Sequence, residues 1–372
     1  MSSTPVPVPP YGRPPLRTVQ VLDGAGPGSG AGSSAHVRSL AGGLAARGVR
    51  VTVCAPVASE GEYDFTGAGA QFEPAAVNAL RAACFGADIV HAHGLRAGVR
   101  AALALRGRRV PLVVTWHGGG PEPGPAPLRG LTRLLERRVA RAAAVVLGTS
   151  SDQVDLARRR GARDARLAPV TVPGARYVAG EGDADKVRAE LGALGRHLLI
   201  AVGSLEPHRG YGVLLDAARD WRALDPQPLL VIAGEGPLRP VLARRIDTEG
   251  LPVRLLGRRP DVAELLAASD VAVLPSRWEA RSLLAQEALR AGVALVATAV
   301  GGVPELVGDA GVLVPYGDAA ALSTAVAALI ADPARRGVLA EAGPAQAATW
   351  PTEDDTVAQV LAVYDELMER HR

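Results

Sequence analysis

Short apolar runs alternate with helix-like segments along most of the sequence, and this alternation restricts the fold more than any other feature. The runs 110–116, 228–233 and 293–298 are typical, because each is rich in Val, Leu and Ala and is soon followed by glycines. Buried strands that are joined by helical crossovers form parallel sheets with helices on both faces. The pattern therefore predicts an α/β protein with one parallel sheet in each half of the chain.

Length and local composition divide the sequence into two domains. A chain of 372 residues is long for one domain, and two domains of about 150 to 180 residues are expected. We predict a disordered tail at 1–15, where Pro and Ser dominate, and a polar, glycine-containing linker at 179–194. The first domain is then 16–178, the second is 195–345, and a final helical segment covers 346–372.

Charge and cysteine usage argue against several classes of protein. The net charge of +3 is too small to indicate a nucleic-acid partner. Cys54 and Cys84 have no metal or redox spacing, and two thiols in a chain of this length favour a reducing compartment. The sequence has neither the basic start and apolar core of a signal peptide nor an apolar run that would span a membrane. We predict a cytoplasmic protein.

Two glutamates, Glu279 and Glu287, are separated by seven residues just after the apolar run 270–275. Ser282 is a good N-cap for a helix that begins at Leu283. Glu279 is therefore expected in the loop at the carboxyl end of a strand, where open α/β sheets bind ligands. An acid in so apolar a segment is costly unless it is hydrogen-bonded. For Glu287 alone, a solvated helix face is the alternative.

A glycine-dense loop at 23–34 follows the first predicted strand, 16–22. Strand, glycine loop and helix N-terminus together form an anion-binding corner. Residues 26–31 satisfy the dinucleotide pattern G-x-G-x-x-A, but the second strand ends in Cys54-Ala-Pro56 and not in the acid that binds the ribose. A dinucleotide-dependent oxidoreductase therefore remains only an alternative.

Three histidines, His91, His93 and His117, lie at predicted strand ends. They suggest zinc, but no acid or cysteine completes the set, and we predict no metal site. For His91 and His93 a hydrogen-bonded strand terminus is the alternative. His117 precedes three glycines, which leave space for a ligand beside the ring.

A basic amphipathic helix is predicted at 128–141. Its leucines fall on one side and its arginines beside them: Leu128, Leu131, Leu134 and Leu135, with Arg133, Arg137 and Arg138. Such a helix can rest on anionic lipid, which would place the protein at the inner face of the plasma membrane. A solvated helix face is the alternative.

In order along the chain, these motifs resemble those of one family, the retaining GT-B fold glycosyltransferases of family 4 (group 1 type). That family includes sucrose synthase and the bacterial phosphatidylinositol mannosyltransferases, and the resemblance covers about residues 16–372. The motifs that carry it, besides the E-x7-E pair Glu279 and Glu287, are Gly32–His36, Val90–Gly94, Thr115–Gly118, Val202–Gly210, Ala233–Pro237 and Gly301–Glu305.

The resemblance implies two Rossmann-like domains with parallel sheets facing across a cleft. The second domain would hold a nucleotide sugar such as a UDP- or GDP-sugar, and the first would hold the acceptor, which is a glycan, a lipid or a small molecule. The final segment 346–372 would return as a helix to the first domain. It also implies transfer to a hydroxyl with retention of configuration, without a cofactor and without a metal for donor binding.

The resemblance further implies roles for particular residues. The catalytic residues would be Glu279, His117 and Arg209, where Arg209 stands in place of the diphosphate lysine. Glu287 would bind the ribose hydroxyls. The other donor-binding residues would be Ser204, Gly234, Arg281, Ser282, Leu283, Gly30, Gly32 and Ser33.

Two positions depart from the family pattern. Ser204 stands where the family has an arginine, so one of two diphosphate cations is missing. Ala280-Arg281-Ser282 replaces Gly-Phe-Gly, and Arg281 either restores the lost charge or turns to solvent. A degenerate homologue that binds a nucleotide sugar without turnover is therefore the second alternative.

Overall fold

The computed structural model describes residues 14–23, 31–118, 126–170 and 183–371. The chain forms two compact units. Unit 1 comprises Met1–Pro173 together with Pro351–Arg372, and unit 2 is Gly174–Trp350. Most of the predicted tail, 1–13, lies outside the described residues.

Unit 1 is built on a seven-stranded parallel sheet with the order β3-β2-β1-β4-β5-β6-β7. Its strands are β1 Arg17–Leu22, β2 Arg50–Ala55, β3 Gln71–Pro74, β4 Ile89–His93, β5 Leu112–Trp116, β6 Val145–Gly148 and β7 Ala165–Leu167. With labels in chain order, its helices are α1 Ala31–Ala46, α2 Val57–Tyr63, α3 Val77–Phe85, α4 Leu95–Ala104, α5 Ala126–Ala142, α6 Ser151–Arg159 and α15 Glu353–Arg370.

Unit 2 is built on a six-stranded parallel sheet with the order β10-β9-β8-β11-β12-β13. Its strands are β8 Leu198–Val202, β9 Leu229–Ala233, β10 Val253–Gly257, β11 Val271–Leu274, β12 Ala294–Thr298 and β13 Val312–Val314. Its helices are α7 Asp183–Leu191, α8 Tyr211–Ala218, α9 Arg239–Glu249, α10 Val262–Ala267, α11 Leu283–Arg290, α12 Val303–Val307, α13 Ala319–Ala331 and α14 Pro333–Ala347, with 3-10 turns at Pro207–Arg209 and Asp220–Ala223.

Three inner strands, β5, β9 and β12, are almost entirely apolar, as the alternation of strands and helices predicts. All five residues of β5, of β9 and of β12 are buried. Helices cover each face, so that unit 2 has two apolar clusters, one on each side of its sheet. The prediction of an α/β protein with a parallel sheet in each half is confirmed.

Strand order reverses once in each sheet, between β1 and β4 in unit 1 and between β8 and β11 in unit 2. At such a reversal the loops at the carboxyl ends of the two strands diverge and leave a crevice for ligands. The reversal in unit 2 brings the loop that precedes α8 next to the Glu279 loop. The reversal in unit 1 brings the end of β1 next to His93.

The last helix, α15, belongs to unit 1. It begins with a capping box in which Thr352 and Asp355 exchange hydrogen bonds. It packs on α1 at Gly43, where a Cβ atom would lie 2.5 Å from Val357. Its inner face is buried against the core of unit 1 at Val357, Val360, Val363, Tyr364 and Leu367.

Part of the segment that was predicted to be a linker, 179–194, is helical. Helix α7 occupies Asp183–Leu191, and its Val187 and Leu191 are buried in the core of unit 2. Most residues of α7 are polar, so the sequence of this helix resembles that of a linker. Apart from the two 3-10 turns, five further elements were not predicted, namely α2, β3, β7, α12 and β13.

The described part of the chain contains no helix that is long and apolar enough to cross a membrane.

Candidate functional site

Glycines hold the strand-end loops of unit 2 in close contact. Gly210 has a φ of +72°, and a Cβ atom there would lie 1.9 Å from the carbonyl oxygen of Pro275. Gly301 has a φ of +53°, and its Cβ would lie 2.1 Å from the carbonyl oxygen of Glu279. Only glycine fits such a backbone approach. The loops after β8, β11 and β12 therefore meet through their backbones.

The loop after β9 is attached to the same group. Gly234 has a φ of +150°, and a Cβ atom there would lie 1.9 Å from the carbonyl oxygen of Gly203, in the loop after β8. The Tyr211 hydroxyl donates to that same oxygen at 3.1 Å. The predicted donor residue Gly234 thus lies beside the loop that carries Ser204 and Arg209.

Glu279 and Arg209 form an ion pair at this end of the sheet, through Oε1 and Nη1. The side chains are only 12% and 22% exposed, respectively, so the pair is largely screened from water. Ser276 donates to the same carboxylate oxygen at 2.8 Å, and Thr298 Oγ1 donates to the carbonyl of Ser276 at 2.5 Å. The orientation of the Glu279 carboxylate is therefore fixed by β11, β12 and the β8 loop together.

Arg209 has an N–H donor that the ion pair with Glu279 does not use. Its Nε is buried and has no hydrogen-bond partner among the described residues. Burying an unpaired guanidinium N–H costs free energy unless something accepts from it. A ligand oxygen at this position would remove that cost.

The predicted N-cap is confirmed, since the Ser282 side chain accepts from the backbone N–H of Ala285 at 3.3 Å. Helix α11 then begins at Leu283, and Glu287 lies one turn further on. Burial raises the pKa of the half-buried Glu287 carboxyl, while the positive charge of Arg290 opposes that shift. The motif thus presents a capped helix N-terminus and a partly desolvated acid.

Arg281 does not join the Glu279 pair. Its guanidinium lies 5.6 Å from the centre of the Trp350 ring, and that of Arg290 lies 5.5 Å from the same ring. Burial lowers the pKa of Arg281 to about 10. Its Nε and Nη2 have no hydrogen-bond partner in the described part of the chain. The side chain is thus neither turned to solvent nor placed beside Arg209.

The remaining predicted donor residues are distributed over both units. Ser204 is exposed in the loop after β8, and Leu283 is partly buried at the start of α11. Gly32 and Ser33 are in the first turn of α1, in unit 1. Gly30 lies outside the described residues.

The strand ends of unit 1 carry a network of hydrogen-bonded side chains. His91 uses both ring nitrogens, with Nδ1 2.7 Å from the Tyr364 hydroxyl and Nε2 2.7 Å from Thr115 Oγ1. Gln20 Nε2 donates to the same tyrosine hydroxyl at 3.1 Å. Helix α15 is thereby tied to β1 and β4.

The hydrogen-bond network extends to His117. His93 Nε2 lies 3.0 Å from Gln20 Oε1, and His93 Nδ1 lies 3.2 Å from His117 Nε2. Because an amide oxygen only accepts, His93 must donate through Nε2, which leaves a lone pair on Nδ1. His91 and His93 are therefore hydrogen-bonded residues at a strand end, which was the alternative interpretation of these two histidines from the sequence.

His36, on α1, completes a group with His93 and His117. Its ring centre lies 5.7 Å from that of His93 and 5.5 Å from that of His117. Burial lowers the pKa of each of these rings well below the usual value of an imidazole, and takes that of His117 to about 4. The same effect takes the pKa of His91 to about 3. All four rings are therefore neutral at pH 7.

Sequence reasoning missed three members of this network, namely His36, Gln20 and Tyr364. Its candidate trio was His91, His93 and His117, whereas the structure groups His36 with the latter two and ties His91 to Tyr364. His36 stands in the motif Gly32–His36, which is the one signal that pointed to it. Nothing in the sequence pairs residue 20 with residue 364.

Comparison with known proteins identifies the family. Residues 183–346 match the family described as glycosyl transferases group 1, and residues 31–173 match the glycosyl transferase 4-like domain. The chain is 32% identical over 312 residues to D-inositol 3-phosphate glycosyltransferase 1 of Catenulispora acidiphila, covering 77% of this chain and 73% of the relative. The chain belongs to the group 1 glycosyltransferases. The prediction of a glycosyltransferase is thereby confirmed at the level of the family, which decides against the oxidoreductase alternative.

A second relative of this glycosyltransferase is the putative teichuronic acid biosynthesis glycosyltransferase TuaC of Bacillus subtilis. The two are 30% identical over 225 residues, which is 59% of this chain and 55% of TuaC. The chain thus spans little more than half of that relative.

Solved structures show the same fold. Anabaena Alr3699/HepE in complex with UDP and glucose has a TM-score of 0.82 at 21% identity, over 94% of this chain and all 100% of that one. Sucrose-phosphate synthase of Thermosynechococcus elongatus has a TM-score of 0.76 at 21% identity, over 95% and 100% of the two chains. The predicted GT-B fold, with two Rossmann-like domains, is confirmed.

Proposed function

We propose that this glycosyltransferase moves a sugar from a nucleoside-diphosphate sugar, such as a UDP- or GDP-sugar, to an acceptor hydroxyl, with retention of configuration. No metal ion is needed for donor binding. The observation that carries the proposal is the Arg209–Glu279 pair, which lies where strand order reverses in unit 2. The names of the relatives and the UDP in the Anabaena complex support the donor class.

Arg209 takes the charge of the diphosphate. A guanidinium carries five N–H donors, and Nε of Arg209 has no partner in the part of the chain that the structure describes. Phosphate oxygens accept such donors in pairs. Negative charge grows on the diphosphate as it leaves, so a donor that is already in place stabilises the transition state by roughly a factor of 10²–10³.

The N-terminus of α11 adds backbone donors. The first N–H groups of a helix have no partner within the helix, and Ser282 caps only that of Ala285. The N–H groups of Leu283 and Leu284, which have no backbone acceptor among the residues that the structure describes, favour an anion at this end together with the helix dipole. They complement Arg209 where Ser204 supplies no second cation.

The two glutamates bind hydroxyls. Glu279, whose orientation is fixed by Ser276, accepts from hydroxyls of the transferred sugar. Glu287 accepts from the ribose diol, because the two oxygens of a carboxylate can take one hydrogen bond each. The partial burial of Glu287 makes that exchange favourable, since a diol replaces lost water.

His117 contributes a neutral ring. Its lowered pKa leaves one donor and one acceptor on the imidazole at pH 7, so it hydrogen-bonds a sugar hydroxyl and supplies no positive charge. Gly32 and Ser33, at the start of α1, offer backbone N–H groups to the substrate.

In the transfer step the acceptor oxygen bonds to the anomeric carbon while the bond to the diphosphate breaks. The acceptor proton passes to the departing phosphate oxygen.

The acceptor belongs to the glycan, lipid or small-molecule polyol class, and lipid contact would be made by α5. Leu128, Leu131 and Leu134 are 57%, 52% and 46% exposed, spaced three residues apart among arginines. Three exposed leucines on a basic helix suit an anionic membrane surface at the cytoplasmic face. Flotation with anionic vesicles should recover the protein, and Leu131→Glu should abolish recovery. Absence of binding at low salt would end this part of the proposal.

The donor class is tested by thermal unfolding with UDP, GDP, ADP and dTDP. At least one of these should raise the melting temperature, and the rise should shrink in Glu287→Gln. The matching nucleotide sugar is then offered to a panel of acceptors, and the product linkage is read by NMR. Stabilisation without transfer to any acceptor would favour the degenerate homologue, and an inverted linkage would contradict retention.

A further inference from the structure

Three histidines from three different elements converge in unit 1. His36 comes from α1, His93 ends β4 and His117 follows β5, and one ring nitrogen from each lies within 4.8 Å of the others. The strand order β1-β4-β5 places these elements side by side. The convergence is therefore a consequence of the fold and not of adjacency in sequence.

The hydrogen bonds around the group present a lone pair of His93 to its centre. Gln20 Oε1 accepts from His93 Nε2, so Nδ1 of His93 is the unprotonated nitrogen. The Gln20 amide is itself oriented by the Tyr364 hydroxyl at 3.1 Å. An outer partner that fixes the tautomer in this way is typical of metal-binding histidines. His91 is excluded, because both of its nitrogens are engaged elsewhere.

The spacing of two of the nitrogens suits a tetrahedral ion. His93 Nδ1 and His117 Nε2 are 3.2 Å apart. Two imidazole nitrogens about 2.0–2.1 Å from one Zn²⁺ ion, at a tetrahedral angle, are about 3.3–3.4 Å apart. The nitrogen of His36 needs to approach by no more than about 1.5 Å, which a side-chain rotation supplies, because the group spans at most 4.8 Å.

We propose that His36, His93 and His117 bind a divalent first-row transition metal ion, of which Zn²⁺ is the representative. Three neutral nitrogen ligands favour Zn²⁺, Co²⁺ or Ni²⁺ over Mg²⁺ or Ca²⁺, which prefer oxygen. Three protein ligands leave a fourth position for water or an anion. That position opens on the side of His117, which is partly exposed and is followed by the exposed Gly118.

Metal binding has a consequence that rests on the proposed function. An ion that takes Nε2 of His117 replaces the hydrogen bond to His93 that orients the ring, and so displaces the ring from the sugar hydroxyl that it is proposed to contact. Micromolar Zn²⁺ should therefore inhibit transfer, and chelation should restore it. The ion is an inhibitor in this scheme and takes no part in the transfer step.

The test measures binding without any substrate. Full-length protein freed of any histidine tag is dialysed against micromolar Zn²⁺ and analysed for metal, and Co²⁺ is added separately to record the visible bands of a tetrahedral complex. Wild type should hold one ion per chain. His36→Leu and the partly exposed His117→Ala should each lose it, whereas His371→Ala, which changes an exposed histidine, should retain it.

Unfolding curves of each variant show whether metal loss comes from loss of the fold. A folded His117→Ala protein that still binds one ion would overturn the proposal, as would a wild type that binds none. Either result would mean that the 3.2 Å contact between His117 Nε2 and His93 Nδ1 is only a hydrogen bond and not part of a metal site. Absence of sugar transfer from every donor would count against the proposed function alone, because the metal measurement requires no turnover.

Discussion

The two sheets reverse strand order in the same way, yet the polar groups at the two reversals are opposite in kind. Unit 2 places charges there, with Arg209 paired to Glu279. Unit 1 places neutral rings there, tied by hydrogen bonds from His117 through His93 and Gln20 to Tyr364. The same topology thus supplies an end suited to a charged diphosphate and an end suited to hydroxyl groups or to a metal ion.

The two ends are also held together differently. In unit 2 the loops approach through their backbones, at glycines whose positive φ no other residue adopts without strain. In unit 1 the connection is made by side chains that reach from β1 and β4 to α15. A backbone contact and a side-chain network can thus each hold a strand end, and mutations at Gly210 and Tyr364 distinguish the two.

The largest effect should come from removing the charge in unit 2. Arg209→Ala should lower kcat/KM for transfer by about 10²–10³, because the leaving diphosphate loses a donor that is already in place. Arg209→Lys should recover part of the loss, since an ammonium keeps the charge without the paired donors. Steady-state kinetics with the nucleotide sugar provide the measurement.

Arg219→Ala is the matched control for this experiment. It removes another ion-paired arginine of unit 2, whose partner is Glu249 on α9. Its rate should equal that of the wild type. Equal rates for Arg209→Ala and the wild type would show that the charged end does not act on the diphosphate.

A smaller effect, on stability, should follow from a Cβ atom at Gly210. Gly210→Ala forces a side chain to within 1.9 Å of the Pro275 carbonyl oxygen at a φ of +72°. We expect unfolding of unit 2 to become easier by about 3 kcal/mol, measured by urea denaturation. Gly212→Ala, two residues on and in α8, meets nothing within 4 Å and should be neutral or stabilising by about 0.5 kcal/mol. Similar values for the two variants would contradict the backbone-contact model of unit 2.

The smallest effect should come from the side-chain network of unit 1. Tyr364→Phe leaves His91 Nδ1 and Gln20 Nε2 without the hydroxyl that both contact. Two buried polar groups that lose a partner should cost about 1–2 kcal/mol of unfolding free energy. Tyr316→Phe changes a tyrosine that is 40% exposed and should cost nothing measurable. If Tyr364→Phe behaved like that control, the network would not stabilise unit 1.

Local pattern was enough to predict the fold and part of the candidate site. Apolar runs predicted strands such as β5, β9 and β12, because a strand that is buried on both faces is largely apolar. Ser282 was found as an N-cap from its position before an apolar helix. Arg209 and Glu279 follow neighbouring strands, so their proximity follows from the topology once the sheet is known.

What the sequence could not predict depends on packing between distant segments. The Gln20–Tyr364 hydrogen bond joins residues 344 positions apart. The position of Arg281 depends on the ring of Trp350, which lies in the turn between α14 and α15. Helix α7 buries only two large apolar side chains, too few to distinguish it from a polar linker by periodicity.

Helix α15 has a consequence for how the protein is made. The strands of unit 1 are made before unit 2, but the helix that covers one of its apolar clusters is encoded after the whole of unit 2. Domains generally fold as units during synthesis. Unit 2 can therefore complete its core first. Until α15 is made, the apolar side chains of α1 lack their cover, and Gln20 and His91 lack the Tyr364 hydroxyl that they contact. A chain that stalls before α15 would expose that surface to chaperones and proteases, so the completion of unit 1 depends on a segment that is made after unit 2.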